Sequence, residues 1–242
     1  MKLICDVPKQ LYENILTDLT HNPYDMEGND AVNFRTTELL DPPLIRSLWY
    51  DNLVKDELVL YASEFVFMQF GTAFHMLLEG EDTDTEKYEY RMSLKIGETI
   101  EGRSINLYGT MDEINISDVA VQIIDNKVSN VFVMSKPLKT GHNEQVNVYR
   151  YLLSCQDDFA GMEINQLFIR YFLRDWVKTQ TVRKDYPSTP IGMKQAEIMS
   201  FEDVENLITT KATDHIENPY RDCTPEERTF KIVYKIKYPE RD

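Results

Sequence analysis

Apolar residues at Leu11, Ile15, Leu16 and Leu19 recur with helical spacing and predict a helix over Val7 to Thr20. From Glu57 to Leu78 the apolar positions spread around much of the helical surface, which predicts a buried helix. Tyr88, Tyr90, Met92, Leu94 and Ile96 alternate and predict a strand. Ser104 to Ser129 holds two apolar-rich runs on either side of Asn115-Ile116-Ser117-Asp118, a turn-like interruption, and reads as a β-hairpin. Val131 to Met134 is a short apolar piece, and Lys136 to Asn143 a polar loop. Asn143 stands where it can cap a helix over Glu144 to Ser154. Ile164 to Trp176 reads as another strand, and Phe201, Val204, Leu207, Ile208 and Ala212 predict a helix from Ser200 to Glu217.

Chain breakers divide these elements. Asn22 to Asp30 is a loop by its Pro, Gly, Asn and Asp content. Pro42-Pro43 stops one short helix after Thr36 and can begin another, because proline suits a first helical turn. Thr224-Pro225-Glu226-Glu227 has the layout of a capping box, and Phe230 to Tyr238 reads as a closing strand carrying lysines. The expected organisation is one domain: a helical arm over 1–56, a core over 57–176 and C-terminal helices with a closing strand over 177–242. Within the core the order is helix, strand meander, helix, strand.

At 242 residues with 42% hydrophobic and 11% aromatic content, the chain can bury a substantial core, and disorder throughout is excluded. No run is long and apolar enough to span a bilayer, and the N-terminus breaks its apolar character at Asp6, against a secretory signal. A cytoplasmic location is expected by default, with no membrane partner. Cys5, Cys155 and Cys223 are far apart and form no Cys-x-x-Cys, so neither a zinc site nor a disulfide framework is indicated. The net charge of −15 opposes phosphate binding over the body as a whole. Acids crowd into Glu79 to Glu86, whereas Lys127, Lys136, Lys139 and Arg150 surround the core motifs and Arg170, Arg174, Lys178, Arg183 and Lys184 follow in the next segment, so a locally basic groove is expected.

The candidate chemistry lies on the hairpin. Asp112 falls in its first run and Asp125 in its second, and Lys127 shares a strand face with Asp125. Two carboxylates and an ammonium on adjacent strands can hold a hard divalent cation and activate water beside it. His75 and Glu79 stand four apart on one helical face upstream, as do Gln145 and Tyr149 downstream. Glu113 should face the other side of its strand from Asp112.

The ordered series Gly71-x-x-x-His75, Gly109-x-x-Asp112, Asp125-x-Lys127, Gln145-x-x-x-Tyr149 resembles the RecB-type branch of the PD-(D/E)XK nuclease superfamily. Thr37-x-Leu39 with Pro42-Pro43 and Leu48, the Asp175-Trp176 pair with Tyr186-Pro187 and Pro190, and Cys223 to Arg228 are similar to its phage-encoded members. The chain departs from that pattern at Thr229-Phe230, where the family has a tryptophan. The resemblance, over roughly Thr36 to Tyr238, implies an α/β fold with a restriction-endonuclease-like core, a mixed central sheet flanked by helices. It implies Mg²⁺ or Mn²⁺ held by His75, Asp112, Asp125 and the backbone carbonyl of Asn126, with Glu79 acting through water or orienting His75. Lys127 would position the attacking water and stabilise charge on phosphate; Gln145 and Tyr149 would contact the DNA backbone or support the site. Lys136, Lys139, Arg150 and Arg174 are the candidate DNA contacts. Some relatives carry a four-cysteine iron–sulfur cluster, which this chain cannot form from its own thiols.

The activity so implied is metal-dependent hydrolysis of DNA phosphodiesters, by an exonuclease or single-strand-preferring enzyme in phage DNA recombination, repair or processing, with phage recombination proteins as possible partners. The alternative is a catalytically silent nuclease-fold module that binds DNA ends or a recombination or host protein. An acidic DNA mimic would use the net charge alone, and the clustered basic residues speak against it.

Overall fold

The computed structural model describes residues 2–20, 31–47, 59–78, 80–118, 120–224 and 227. In chain order these form β1 (Lys2–Ile4), α1 (Lys9–Thr20), β2 (Val32–Arg35), α2 (Thr36–Leu40), β3 (Val59–Tyr61), α3 (Val66–Leu78), β4 (Glu86–Glu98), β5 (Ser104–Ile116), β6 (Val121–Ser129), α4 (Thr140–Ser154), β7 (Ile164–Leu173), β8 (Ile191–Gln195) and α5 (Phe201–Glu217). Helical backbone at 43–47 follows Pro42, as the paired prolines predict. No helix among the described residues is long and apolar enough to cross a membrane.

Among the described residues six strands make a mixed sheet, while β1 and β3 pair separately in parallel. The sheet is built on β5. Antiparallel β4 follows one of its edges from Ser104 to Asn115. The other edge is divided between parallel β2, at Ile105 to Tyr108, and antiparallel β6, at Glu113 to Ile116. Gly109 to Asp112 therefore lie in a fork between two diverging partners. Strand β7 continues the sheet parallel to β6, and β8 is antiparallel to β7.

Strand alternation places helices on both faces. Tyr171 on β7 meets His142 of α4, whereas the next residue, Phe172, stacks on Phe74 of α3 with centroids 5.1 Å apart. Helix α4 also packs on α2 and α5. Its buried Val146, Leu152 and Leu153 join Leu107, Met111 and Leu167 from the sheet in one hydrophobic core.

Several boundaries differ from the sequence expectation. Helix α4 begins at Thr140 rather than Glu144, because the Lys139 carbonyl accepts the N–H groups of both His142 and Asn143. Asn143 is thus inside the helix, and its side-chain oxygen accepts the Glu197 N–H at 2.8 Å instead of capping. Strand β7 stops at Leu173, where Arg174 N–H turns to Ser129 and Trp176 N–H folds back onto Leu173. The segment expected to be a helical arm also contributes β2 to the main sheet, with Phe34 and Leu39 fully buried. The Asn22–Asp30 loop and the closing strand at Phe230–Tyr238 lie outside the described residues, whereas Thr224 and Glu227 exchange the two reciprocal hydrogen bonds of the expected capping box, at 2.9 and 3.4 Å.

Candidate metal centre

The centre forms where β5 and β6 part. Their ladder ends at the Glu113–Ile124 pair. One step further on, Asn126 N–H donates to Asp112 Oδ2 at 2.5 Å, so a side chain replaces the backbone acceptor and the strands are held apart. Asp112 Oδ1 then faces α3, where His75 Nδ1 lies 3.4 Å away. The same nitrogen is 3.2 Å from Oε1 of Glu89. Glu89 sits on β4 with a φ of 46°, a left-handed conformation that is costly for a residue other than glycine. It falls between Tyr88 and Tyr90, which pair with Glu113 and Met111. Ligand atoms of His75, Glu89 and Asp112 all lie within 4.8 Å of one another.

Asp125 stands beside this trio, 1% exposed. Its Oδ1 accepts from Lys127 Nζ at 3.1 Å and from Gln145 Nε2 at 3.3 Å. Gln145 Nε2 also donates to the Tyr149 hydroxyl at 2.9 Å, so the α4 face expected from sequence holds Asp125 in place. Asp125 Oδ2 lies 2.8 Å from the Lys127 ammonium, yet no donor among the described residues is aligned to hydrogen-bond it. The ammonium thus meets this buried oxygen as a charge partner, which offsets much of the cost of burying the carboxylate.

Burial, then the neighbouring Asp125 charge, push Asp112 up to about 7. Burial also raises Asp125, against the opposing effect of Lys127. The hydrogen bond to Glu89 raises His75, with the Asp112 charge adding to it. His75 Nδ1 lies between a carboxylate oxygen of Glu89 and one of Asp112, the position a divalent cation would take. One imidazole and oxygen donors fit Mn²⁺ or Mg²⁺, with the nitrogen favouring Mn²⁺.

The other expected residues separate into groups. Of Asn126, the N–H holds Asp112, and its side-chain oxygen accepts from Arg170 Nη1 at 3.4 Å. Arg170 grips Glu113 through both guanidinium nitrogens, at 2.6 and 3.1 Å, so Glu113 is kept from the centre as its strand position suggests. Lys136, Lys139 and Arg174 are exposed. Arg150 is not: it donates to the carbonyls of Ile164 and Met199 and covers the Phe201 ring at 4.1 Å. Its charge braces the α4–α5 packing, a correction to its expected place at a DNA contact. Glu79 lies outside the described residues. Two groups near the site carried no sequence signal of their own. Glu89 is one; the other is His142, hydrogen-bonded to the Tyr171 hydroxyl at 2.8 Å and pushed down to about 4 by burial and by Lys127 and Lys139.

Gly109 allows α4 to close over the fork. A Cβ there would come within 2.9 Å of Tyr149 Cε1 and 3.0 Å of Leu152 Cδ1. Gly109→Ala is therefore expected to lower stability in denaturant unfolding by about 1–3 kcal/mol and to weaken metal binding by displacing Tyr149 from Gln145. A variant as stable as the wild type would contradict this packing.

Metal binding is expected to depend on pH with a definite sign. With its pKa raised from 3.8 to about 7, Asp112 keeps in the folded chain a proton that the unfolded chain has released. This contribution to metal-free stability is lost as pH rises through that window, and a cation supplies the missing counter-charge. The rise in melting temperature on adding Mn²⁺ should be larger at about pH 8 than at about pH 5.5. Equal shifts at both pH values would contradict the assignment.

No family model matches the sequence, and no curated protein does. Among solved structures, the crystal structure of SSO0001 is similar in fold, with a TM-score of 0.55 and 18% identity over 91% of this chain and 96% of that one. The likeness supports the mixed α/β arrangement, a six-stranded sheet flanked by helices.

Proposed function

We propose that this chain is a Mg²⁺- or Mn²⁺-dependent DNA nuclease that hydrolyses phosphodiester bonds, with a restriction-endonuclease-like PD-(D/E)XK core of the RecB-type, phage-encoded kind. The observation that carries the reading is the convergence of His75, Glu89 and Asp112 at a strand fork, with the Asp125–Lys127 pair beside it. These residues come from α3, β4, β5 and β6, so the fold and not local sequence assembles them.

His75, Glu89 and Asp112 would hold the cation, with Asp125 Oδ2 as a further oxygen donor. When bound, the cation supplies a lowered pKa for water and neutralises charge on phosphate. Asn126 N–H fixes the Asp112 carboxylate so that Oδ1 faces His75. Lys127, partly exposed and tied to Asp125, can reach a phosphate from the solvent side and stabilise the charge that builds on it. Gln145 and Tyr149 act at one remove by holding Asp125.

The test is cleavage of end-labelled linear and closed circular DNA, single- and double-stranded, with Mn²⁺, with Mg²⁺ and with chelator. Metal-dependent loss of label that disappears with chelator is expected. Absence of cleavage on every substrate, despite Mn²⁺ binding, would turn the reading towards a silent DNA-binding module.

A further inference from the structure

The connection from β6 to α4 presents an aromatic ring to solvent. Phe132 is 66% exposed, yet the backbone beneath it is fixed. The Asp175 carboxylate accepts the Val131 N–H at 2.7 Å, and Val131–Val133 forms a 3-10 turn. The Lys194 ammonium donates to the Val133 carbonyl at 2.7 Å and also to that of Lys136. A ring held this way has little backbone freedom left to lose on meeting a ligand.

Its surroundings are positive in an acidic protein. From Asn126 to Asn143 there is no Asp or Glu, although the chain has 41 of them. Phe132 separates two clefts. The cleft towards α4 is lined by Lys136 and Lys139 and by no acid. The other sets Arg183 and Lys184 against Asp175 and Asp185. Lys139 of this cleft and Lys127 of the site both lie near enough to His142 to push its pKa down, so the cleft adjoins the metal centre. Strand β6 ends at Ser129, two residues and about 7 Å beyond Lys127.

We infer that the β6–α4 connection is a strand-docking shelf, on which Phe132 stacks against an unpaired nucleic-acid base while Lys136 and Lys139 hold the flanking phosphates. An exposed aromatic face beside a basic cleft suits single strands, since every unpaired base offers a face and a closed duplex offers none along its side. An apolar protein partner would leave both lysines unmatched. The direction in which the strand is fed, towards the metal centre, rests on the nuclease reading above; the stacking contact does not.

The test is fluorescence anisotropy with a labelled oligothymidylate of about 12 nucleotides and with a blunt duplex, in chelator so that nothing is cleaved. Phe132→Ala should weaken single-strand binding about five- to hundredfold and leave the duplex unaffected. Phe132→Trp should bind as wild type, with its fluorescence quenched by the strand. Lys136→Ala and Lys139→Ala should each flatten the salt dependence by about 0.7. Unchanged single-strand affinity in Phe132→Ala, with cleavage intact, overturns the shelf and leaves the nuclease reading standing. A wild-type protein that neither binds nor cleaves DNA overturns both. If Phe132→Ala alters only self-association in sedimentation, the shelf is wrong and the ring is a protein contact.

Discussion

Asp112→Asn is expected to reduce metal-dependent cleavage by about a thousandfold, equivalent to roughly 4 kcal/mol in the barrier, while the chain stays folded. The amide keeps one oxygen for the Asn126 N–H, so the fork can persist. What disappears is the carboxylate that His75 and Glu89 face. Because Asp112 is buried beside the Asp125 charge, removing its own charge should raise the metal-free melting temperature at about pH 8 and abolish the further rise on adding Mn²⁺. Calorimetry with and without Mn²⁺, paired with a cleavage rate, reads all three effects. A variant that cleaves within a few-fold of wild type would remove Asp112 from the centre.

Lys127→Met should behave differently, losing both activity and stability. Loss of its ammonium is expected to slow cleavage by about 10²–10³, the usual effect of removing one donor aimed at developing charge. It also strands Asp125, whose carboxylate is 2% exposed and has Lys127 as its cationic partner in the structure. The lysine side chain keeps 28% of its surface in solvent, so the stability loss should be about 1–3 kcal/mol, less than for a fully buried pair. The sign with pH follows from Asp125, whose pKa burial already raises. As pH falls through that raised pKa, Asp125 takes up a proton and the penalty shrinks. The double variant Asp125→Asn/Lys127→Met should regain stability and remain inactive, which urea unfolding and a cleavage assay separate. Restored cleavage in the double variant would show that Lys127 only neutralises the buried Asp125 and that neither side chain takes part in the chemistry.

Long periodicity is not enough by itself: the segment expected as one buried helix over Glu57–Leu78 is, over its described residues, β3, a 3-10 turn and α3, and Phe70, Met76 and Leu77 of α3 are exposed. Asp125 and Lys127 stand two apart on one strand and share a face by alternation alone, and the structure keeps them paired at 2.8 Å. The helical spacing of Gln145 and Tyr149 likewise survives as a hydrogen bond. Strands β1, β2, β3 and β8 span three to five residues, too few alternations to register as a pattern. Glu89 was invisible for a different reason. It occupies a polar position of an alternating strand, and only its left-handed backbone at φ 46° accounts for its leaving that pattern to meet His75. Arg150 differs in the opposite direction: composition counts a cation, but its place over the Phe201 ring and against two carbonyl acceptors is a tertiary fact. The fork itself follows from β2 and β6 sharing one edge of β5, and no local stretch encodes that.

The most direct measurement is anomalous scattering from crystals of the protein soaked in Mn²⁺. A single strong peak is expected within coordination distance, about 2.0–2.3 Å, of His75 and of carboxylate oxygens of Glu89 and Asp112. A peak elsewhere on the surface, with His75 Nδ1 still hydrogen-bonded to Glu89 and Asp112 still directed at Asn126, would contradict the metal centre and the chemistry proposed from it.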